Sequence, residues 1–215
     1  MRAAHAGIFI TFEGGEAAGK TTQIGMLDAY LKRAGHDVVL TREPGGTPLA
    51  ERLRALLLDS SIEMGAMEQV LLFQAARRNH VDQVIAPALR RGAVVLCDRF
   101  SDSTLAYQGA AGGIDMSIIR QLHTLALDGF MPDLTLIFDL PVEESRTRIA
   151  QRAEATDRFE QEQLAFHERL RACFLDIGTA EPERCRIIDA GHDVEHVWAS
   201  IVAEVDGFLA AHVTS

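Results

Sequence analysis

Short apolar runs recur along the chain and alternate with longer segments in which apolar residues return at helical spacing. The apolar runs cover residues 8–12, 38–41, 94–97, 134–140 and 186–188. They are nearly continuous rather than alternating, which is typical of strands that helices cover on both faces. The intervening segments predict helices at about 20–33, 48–58, 67–90, 117–128, 142–152, 160–178 and 193–211. This β-α alternation favours a parallel sheet between helices, with ligands at the carboxyl ends of the strands.

Composition narrows the class of protein without identifying it. A chain of 215 residues with 47% apolar and 24% charged residues suits one globular α/β domain, here residues 1–215. Its net charge of −10 argues against a general binder of nucleic acid or anionic membranes. Cys97, Cys173 and Cys185 form no C-x-x-C pair, so a reducing cytoplasmic location fits. No run approaches the ~18 apolar residues of a membrane span, and the first residues do not resemble a signal peptide.

Directly after the first apolar run, residues 14–21 read GGEAAGKT and fit the phosphate-binding-loop (P-loop) pattern G-x-x-x-x-G-K-[ST]. Small residues let backbone N–H groups turn towards phosphate oxygens, and the next helix directs its positive dipole end there. Lys20 adds a charge near the terminal phosphates, and Thr21 offers a hydroxyl to Mg²⁺. We therefore predict a nucleotide-phosphate site; a glycine-rich turn without ligand is the alternative. The residues assigned to it are Gly14, Gly15, Glu16, Ala17, Ala18, Gly19, Lys20, Thr21 and Thr22.

Polar turns follow two other predicted strands. After residues 94–97, Asp98 could face a magnesium ion or the attacking oxygen, and Arg99 could grip a phosphate through two hydrogen bonds. An aspartate that caps the turn is the alternative. After residues 38–41, a proline and two glycines form a tight turn that could bring Arg42 to a bound anion. A simple surface turn stays open for this segment.

Two helical patterns carry aromatic and polar side chains together. Phe73 and Arg77 are four residues apart, so they share a helical face. An aromatic ring beside a guanidinium suits a nucleobase, because the base can stack on the ring and accept hydrogen bonds at its edge from the guanidinium. A core phenylalanine with a snorkelling arginine is the alternative. If residues around 101–109 are helical, Thr104 shares a face with Tyr107 and Gln108 and adds polar edges and a second ring.

One segment interrupts the alternation of strands and helices. Residues 146–160 contain Arg146, Arg148, Arg152 and Arg158 within an otherwise acidic protein. A basic connector of this kind is typical of a mobile lid that closes over phosphates. A solvated, charged helix hairpin is the alternative.

Taken in order, the segments FEGGEAAGKTTQ, TREPGGT, LLFQAAR, DRFSDSTLAYQG and DRFE resemble the thymidylate kinase family, especially its bacterial members. The resemblance extends from about residue 8 to residue 190. It implies a three-layer P-loop kinase fold with a five-stranded parallel sheet flanked by helices and a short lid. It also implies transfer of the γ-phosphoryl group of Mg-ATP to dTMP in dTTP biosynthesis, with ATP and Mg²⁺ bound by a cytoplasmic homodimer.

The resemblance implies a role for each acceptor-site residue. Glu16 matches an acidic residue near the sugar 3′-hydroxyl, and Tyr107 matches an aromatic position beneath the deoxyribose. Phe73 looks like the ring that stacks on thymine, and Arg77 like the contact to the base edge. Arg42 and Arg99 match positions that reach the dTMP phosphate. The complete predicted acceptor set is Glu16, Arg42, Phe73, Arg77, Arg99, Thr104, Tyr107 and Gln108.

The resemblance also divides the family by the position of a catalytic arginine. Some members carry it in the P-loop directly after the acidic residue, where this chain has Ala17. Other bacterial members carry it in the lid, which makes Arg152 the first candidate here and Arg148 the second. Asp98 looks like an acid that holds magnesium through water or organises Arg99; the predicted metal residues are Thr21 and Asp98. The predicted catalytic set is Lys20, Asp98, Arg99, Arg148 and Arg152.

Two other functions compete with this one. A kinase for another nucleoside monophosphate is the nearest alternative, although the Phe73 and Arg77 pair and the TREPGG turn oppose it. A regulatory NTPase switch or motor is a different class. The chain has no guanine-reading N-K-x-D motif, and lid arginines suit an enzyme that acts without an activating partner.

Overall fold

The computed structural model describes residues 7–151, 159 and 162–213. The strands in this part of the chain are Ile8–Gly14 (β1), Val38–Arg42 (β2), Val94–Asp98 (β3), Leu134–Asp139 (β4) and Cys185–Asp189 (β5). The α-helices are Lys20–Arg33 (α1), Pro48–Leu58 (α2), Ala66–His80 (α3), Ala86–Arg90 (α4), Ser101–Thr104 (α5), Met116–Leu127 (α6), Val142–Ala150 (α7), Leu164–Ala180 (α8) and Val194–Val213 (α9). π-Helical segments occupy Val81–Ile85 and Leu105–Ala111.

The strands form one parallel sheet in the order β2-β3-β1-β4-β5. Helices α1 and α9 cover one face, where Phe12 and Phe138 stack at 5.7 Å between ring centres. Helices α3, α4, α6 and α8 pack towards the other face, where Phe9 meets Phe100 edge-to-face at 5.0 Å. The predicted strands and the three-layer α/β fold are therefore confirmed.

The edge strands differ from the prediction that helices cover both faces of every strand. The central strands β1, β3 and β4 are buried along almost their whole length. In contrast, Leu40 of β2 is 47% exposed and Ile187 of β5 is 45% exposed. A continuous apolar run thus predicts strand position correctly but not complete burial, because an edge strand lies at the margin of the covering helices.

One helical prediction needs correction, and one conditional prediction is confirmed. The helix predicted over residues 67–90 is interrupted by the π-helical segment Val81–Ile85. Pro87 lies two residues after this segment; proline lacks a backbone N–H and its ring crowds the carbonyl one turn earlier, which favours a wider turn at that point. Residues 101–111 are helical throughout, as α5 and a second π-helical segment, although their pattern only suggested it.

Strand register places the functional loops side by side. Phe12 of β1 pairs with Asp98 of β3, and Asp98 also pairs with Arg42 of β2. The P-loop, the turn at Arg99 and the turn after β2 therefore leave the sheet at one carboxyl edge. Among the described residues, no helix combines the length and the apolar character needed to cross a bilayer.

Candidate functional site

A cavity of about 260 Å³ opens at this carboxyl edge of the sheet. It brings together most of the residues predicted from sequence, together with several that were not. Its lining residues are Glu16, Ala17, Ala18, Gly19, Lys20, Thr21, Thr22, Glu43, Pro44, Arg54, Leu58, Phe73, Arg77, Asp98, Arg99, Phe100, Ser103, Thr104, Tyr107, Gln108 and Phe159.

The P-loop curls around the ammonium group of Lys20. Its Nζ donates to the carbonyl of Gly14 at 3.1 Å and to that of Gly15 at 2.6 Å. Gly14 has φ +126°, and a Cβ there would lie 2.4 Å from the carbonyl oxygen of Phe138, so no other residue fits the position. Lys20 also begins α1, whose positive end therefore faces the cavity. This geometry is suited to an anionic phosphate chain.

Arg99 lies directly beside the P-loop and is held in one orientation. Its Nη2 donates to Glu16 Oε1 at 2.8 Å, and its Nη1 donates to the Gly14 carbonyl at 2.9 Å and to Ser103 Oγ at 3.2 Å. The guanidinium carbon lies 5.0 Å from the ring centre of Tyr107, within cation–π range. The planar fork is thus fixed at the wall of the cavity, where it can meet a second anionic group.

Glu16 carries a full negative charge inside the cavity. Burial alone would raise the pKa of its carboxyl, but the charges of Arg99 and Lys20 and the hydroxyl of Tyr107 outweigh burial and lower the pKa to about 2. Tyr107 donates its hydroxyl hydrogen to Glu16 Oε1. Glu16 can therefore accept a hydrogen bond from a ligand hydroxyl at neutral pH.

Thr21 and Asp98, the predicted metal residues, lie next to each other. Thr21 Oγ1 donates to Asp98 Oδ2 at 3.3 Å. The other carboxylate oxygen, Asp98 Oδ1, is buried and has no hydrogen-bond partner among the described residues. No cluster of three or more His, Cys, Asp or Glu side chains suited to a metal occurs in that part of the chain. A hydroxyl and one unpaired carboxylate oxygen fit Mg²⁺, which keeps water and phosphate oxygens as its other ligands.

Phe73 and Arg77 of α3 line the same wall, as their spacing predicts. Arg77 is only 2% exposed, so the alternative of a snorkelling arginine is wrong. Its Nε donates to Glu43 Oε2 at 2.6 Å, and its Nη2 donates to the Phe100 carbonyl and to Thr104 Oγ1, each at 3.0 Å. The remaining Nη1 is buried without a partner in the described structure. Both N–H groups of this nitrogen are therefore left for a ligand.

Glu43, which the sequence analysis did not single out, holds Arg77 in place. Its Oε1 lies 3.0 Å from His80 Nδ1, and His80 Nε2 lies 2.7 Å from Thr41 Oγ1. Burial would raise the pKa of Glu43, but Arg77 and His80 lower it below its ordinary value. Only its place in the TREPGGT segment could have drawn attention to this residue, because its partners come from a helix more than thirty positions away.

Arg42 is not among the described residues that line the cavity. Its side chain is exposed and its Nη2 donates to both carboxylate oxygens of Glu51 at 3.2 Å. Successive residues of a strand point to opposite faces, and here the buried neighbour Glu43 turns inward while Arg42 turns outward. Arg54 of α2, missed from sequence, lines the cavity instead and donates to the Pro44 carbonyl at 2.9 Å. Its position on the helix that follows the TREPGGT turn was the available signal.

The segment after Arg99 supplies one wall of the cavity. Thr104, Tyr107 and Gln108 are buried and line it together, so their predicted common face is confirmed. Gln108 Nε2 donates to Gln69 Oε1 at 3.0 Å, and the ring of Phe159 packs edge-to-face on Tyr107 at 5.3 Å. This wall of the cavity thus consists of an aromatic ring and short polar groups.

The predicted lid arginines are only partly placed. Arg148 of α7 donates to the carbonyls of Ala17 at 3.5 Å and Ala190 at 3.1 Å, so it lies against the outer side of the P-loop. It is not among the described residues lining the cavity. Arg152 and Arg158 lie outside the described residues.

Comparison with known proteins finds the same family by sequence and by structure. A family model described as thymidylate kinase matches residues 12–201. The chain is 54% identical over 196 residues to a thymidylate kinase of Caulobacter vibrioides, covering 91% of this chain and 94% of that protein. It is 51% identical over 206 residues to a thymidylate kinase of Ectopseudomonas mendocina, covering 95% and 98%. The crystal structure of thymidylate kinase from Ehrlichia chaffeensis superposes with a TM-score of 0.74 at 37% identity, covering 93% of this chain and 98% of that one.

We expect Lys20→Met to weaken ATP binding by about 10- to 100-fold, because a charged hydrogen bond contributes roughly 1.5–3 kcal/mol. Lys32→Met is the matched control: Lys32 lies on the same helix but is exposed and paired with Asp28. Isothermal titration calorimetry with ATP measures both variants. Unaltered affinity in Lys20→Met would contradict the assignment of the P-loop as the triphosphate site.

The same titration has an expected pH dependence. Burial and the charge of Arg99 lower the pKa of Lys20 to about 8. Above that pH the free protein increasingly carries a neutral amine, so wild-type affinity for ATP falls as the pH rises from 7 to 9. Because the methionine variant has no such group, its affinity falls less over this range. Parallel curves for both proteins would show that Lys20 does not titrate as expected.

Proposed function

The chain belongs to the thymidylate kinase family, and we propose that it transfers the γ-phosphoryl group of ATP to the phosphate of dTMP, forming dTDP. The observation that carries this proposal is one cavity that contains the P-loop and, next to it, a guanidinium, an aromatic ring and a buried arginine. Lys20 and Arg99 both donate to the Gly14 carbonyl, and Phe73 and Arg77 line the same cavity. A triphosphate donor at Lys20 and a nucleoside monophosphate acceptor at Arg99 would therefore bring their phosphates together.

On the donor side, the P-loop and the N-terminus of α1 bind the ATP phosphates, and Lys20 follows the terminal ones. Thr21 and Asp98 would hold Mg²⁺, which supplies neutralisation of charge on the phosphates when it is bound. Formation of this complex would replace the carbonyl contacts of Lys20 with stronger, charge-assisted contacts to phosphate oxygens.

On the acceptor side, Phe73 offers a ring for thymine to stack on, and Arg77 offers its unpaired Nη1 to a carbonyl at the base edge. The ring of Tyr107 would pack against the deoxyribose, and Glu16 would accept a hydrogen bond from its 3′-hydroxyl. We assign the acceptor phosphate to Arg99 and Arg54. Arg42, paired with Glu51 at the surface, has no place in this scheme.

The reaction then depends on positioning and charge neutralisation. The acceptor phosphate is already an anion, so no strong general base is needed to generate the nucleophile. Arg99 would fix that anion beside the P-loop, next to the terminal phosphate of the donor. We infer that these residues align the two phosphates for an in-line transfer.

A panel of acceptors tests the proposed function directly. We expect rapid release of ADP with ATP and dTMP, and slower release with dUMP, because one methyl group in an apolar pocket is worth about 10- to 200-fold in specificity. Release with dCMP, AMP or GMP should be slower still. A coupled ADP assay measures every acceptor and a blank without one. Equal or faster turnover of another monophosphate would favour the alternative kinase, and rapid hydrolysis in the blank would favour an NTPase.

We propose that an arginine of the lid neutralises the negative charge of the transition state. Arg152 takes the role of the arginine missing from the P-loop at Ala17. We expect Arg152→Ala to lower kcat by about 10³-fold or more, the usual contribution of such an arginine, with little change in KM for dTMP. Arg148→Ala is the comparison variant, since Arg148 contacts backbone carbonyls behind the P-loop. If only Arg148→Ala lowers kcat, the catalytic role belongs to Arg148.

We also propose that the enzyme is a homodimer joined through α2, α3 and α6. These helices pack side by side and expose large apolar side chains. The exposed residues are Leu49, Leu56, Met67, Leu71, Ile118 and Leu125. Light scattering should give twice the chain mass of 23.5 kDa, and Leu71→Asp should halve it. A monomeric wild type would overturn the proposal.

A further inference from the structure

Glu13 is a completely buried acid at the end of β1, directly before the P-loop. Both of its oxygens are used. Phe100 donates its backbone N–H to Oε1 at 2.7 Å, and Ser103 donates its hydroxyl to Oε2 at 2.6 Å. A carboxylate is expensive to bury, so these two contacts need a reason beyond filling space. Both partners come from the segment that carries Arg99.

Arg99 has a backbone conformation that needs support. Its φ of +71° lies in the left-handed region, which a residue with a side chain rarely adopts. The backbone N–H groups of Arg99 and of the next residue both hydrogen-bond to β1. Arg99 donates to the Phe12 carbonyl at 2.9 Å, and Phe100 donates to the side chain of Glu13. Glu13 therefore holds one side of the turn, and the β1 backbone holds the other.

Glu13 also acts on the guanidinium of Arg99 through Ser103. The Ser103 hydroxyl donates to Glu13 and accepts from Arg99 Nη1 at 3.2 Å, so one oxygen links the two charges. The Ser103 hydroxyl donates towards Glu13 only while Glu13 offers an acceptor oxygen. A carboxylate at this position sets the orientation of Ser103, and Ser103 in turn offers its lone pair to Arg99.

We propose that Glu13 is a positioning residue for the acceptor phosphate, acting through the turn at Arg99 and through Ser103. The proposal rests on the proposed function, in which Arg99 binds the phosphate of dTMP. Glu13 does not touch either substrate in this scheme. It determines the position of the Arg99 guanidinium, which binds the acceptor phosphate.

The surroundings of Glu13 show that its charged form is unfavourable for the fold itself. Burial and the nearby charge of Asp102 raise its pKa to about 7, although Ser103, Arg99 and Phe100 oppose this rise. Asp102 is itself paired with Arg184 through two hydrogen bonds, at 2.7 and 3.1 Å. The other ionisable groups that interact with Glu13 are Lys20, Cys97 and Cys185. Because this pKa exceeds the ordinary value of 4.5, the contribution of Glu13 to stability falls as the pH rises from 4.5 towards 7.

Kinetics of three variants test the proposal. Glu13→Ala and Ser103→Ala should each raise KM for dTMP by about tenfold or more, the effect of losing a hydrogen bond to a charged group, while KM for ATP changes little. Thr11→Val is the matched control. Thr11 is also completely buried, lies two residues earlier on the same strand, and its hydroxyl hydrogen-bonds to Thr135 Oγ1 at 2.9 Å. It should lower the melting temperature and leave both KM values unchanged.

A second readout keeps the test valid if Glu13→Ala does not fold. Glu13→Gln keeps the shape but removes the charge, and its amide forces the Ser103 hydroxyl to accept instead of donate. The ratio of wild-type to Glu13→Gln kcat/KM for dTMP should be near one at pH 6, where Glu13 is mostly protonated, and should rise severalfold by pH 8. The titration of the dTMP phosphate, with pKa ≈ 6, cancels in this ratio.

The stability of the same pair provides the complementary result. As the pH rises from 5 to 8, the unfolding free energy of Glu13→Gln should increase relative to that of the wild type, because only the wild type ionises a buried acid. A ratio near one at both pH 6 and pH 8, or equal effects of Ser103→Ala on both KM values, would overturn the positioning role. Failure of the wild type to phosphorylate dTMP would instead overturn the proposed function.

Discussion

The pairing of β1 with β3 is the constraint on which the rest of the site depends. It places Phe12 opposite Asp98, so the P-loop and the turn at Arg99 start from adjacent strands at the same edge. The Arg99 N–H then continues the ladder to the Phe12 carbonyl. From this turn the guanidinium reaches both the Gly14 carbonyl and Glu16, which joins donor and acceptor halves of the cavity. A parallel sheet achieves this convergence because all its carboxyl ends lie at one edge.

Acidic side chains orient the cationic side chains of the cavity, so they do not simply repel its anionic ligands. Each buried arginine at the site has a carboxylate partner: Arg99 has Glu16, and Arg77 has Glu43. Such pairs satisfy charges that would otherwise be costly to bury, and they fix the direction of each guanidinium fork. The net charge of −10 is therefore compatible with binding two phosphorylated ligands. The positive charge is local, and its geometry is set before any substrate binds.

Sequence predicted those parts of the site that depend on neighbouring residues. The spacing of Phe73 and Arg77 and the P-loop pattern specify their geometry within one turn, and the strands follow from apolar runs. Contacts between distant segments could not be derived in this way. Glu13 meets Ser103 across ninety positions, and Arg184 pairs with Asp102 across eighty-two. The outward turn of Arg42 depends on strand alternation at an edge strand, where its partner Glu51 lies beyond the turn.

In the proposed complex, one cavity holds the donor against Lys20 and the acceptor against Arg99. A crystal structure of the wild-type protein with dTMP and a non-hydrolysable ATP analogue would test this arrangement. We expect thymine stacked on Phe73, the dTMP phosphate within hydrogen-bond distance of the Arg99 guanidinium, and the triphosphate in the P-loop. A dTMP phosphate bound in the P-loop, or a thymine ring away from Phe73 and Arg77, would contradict it.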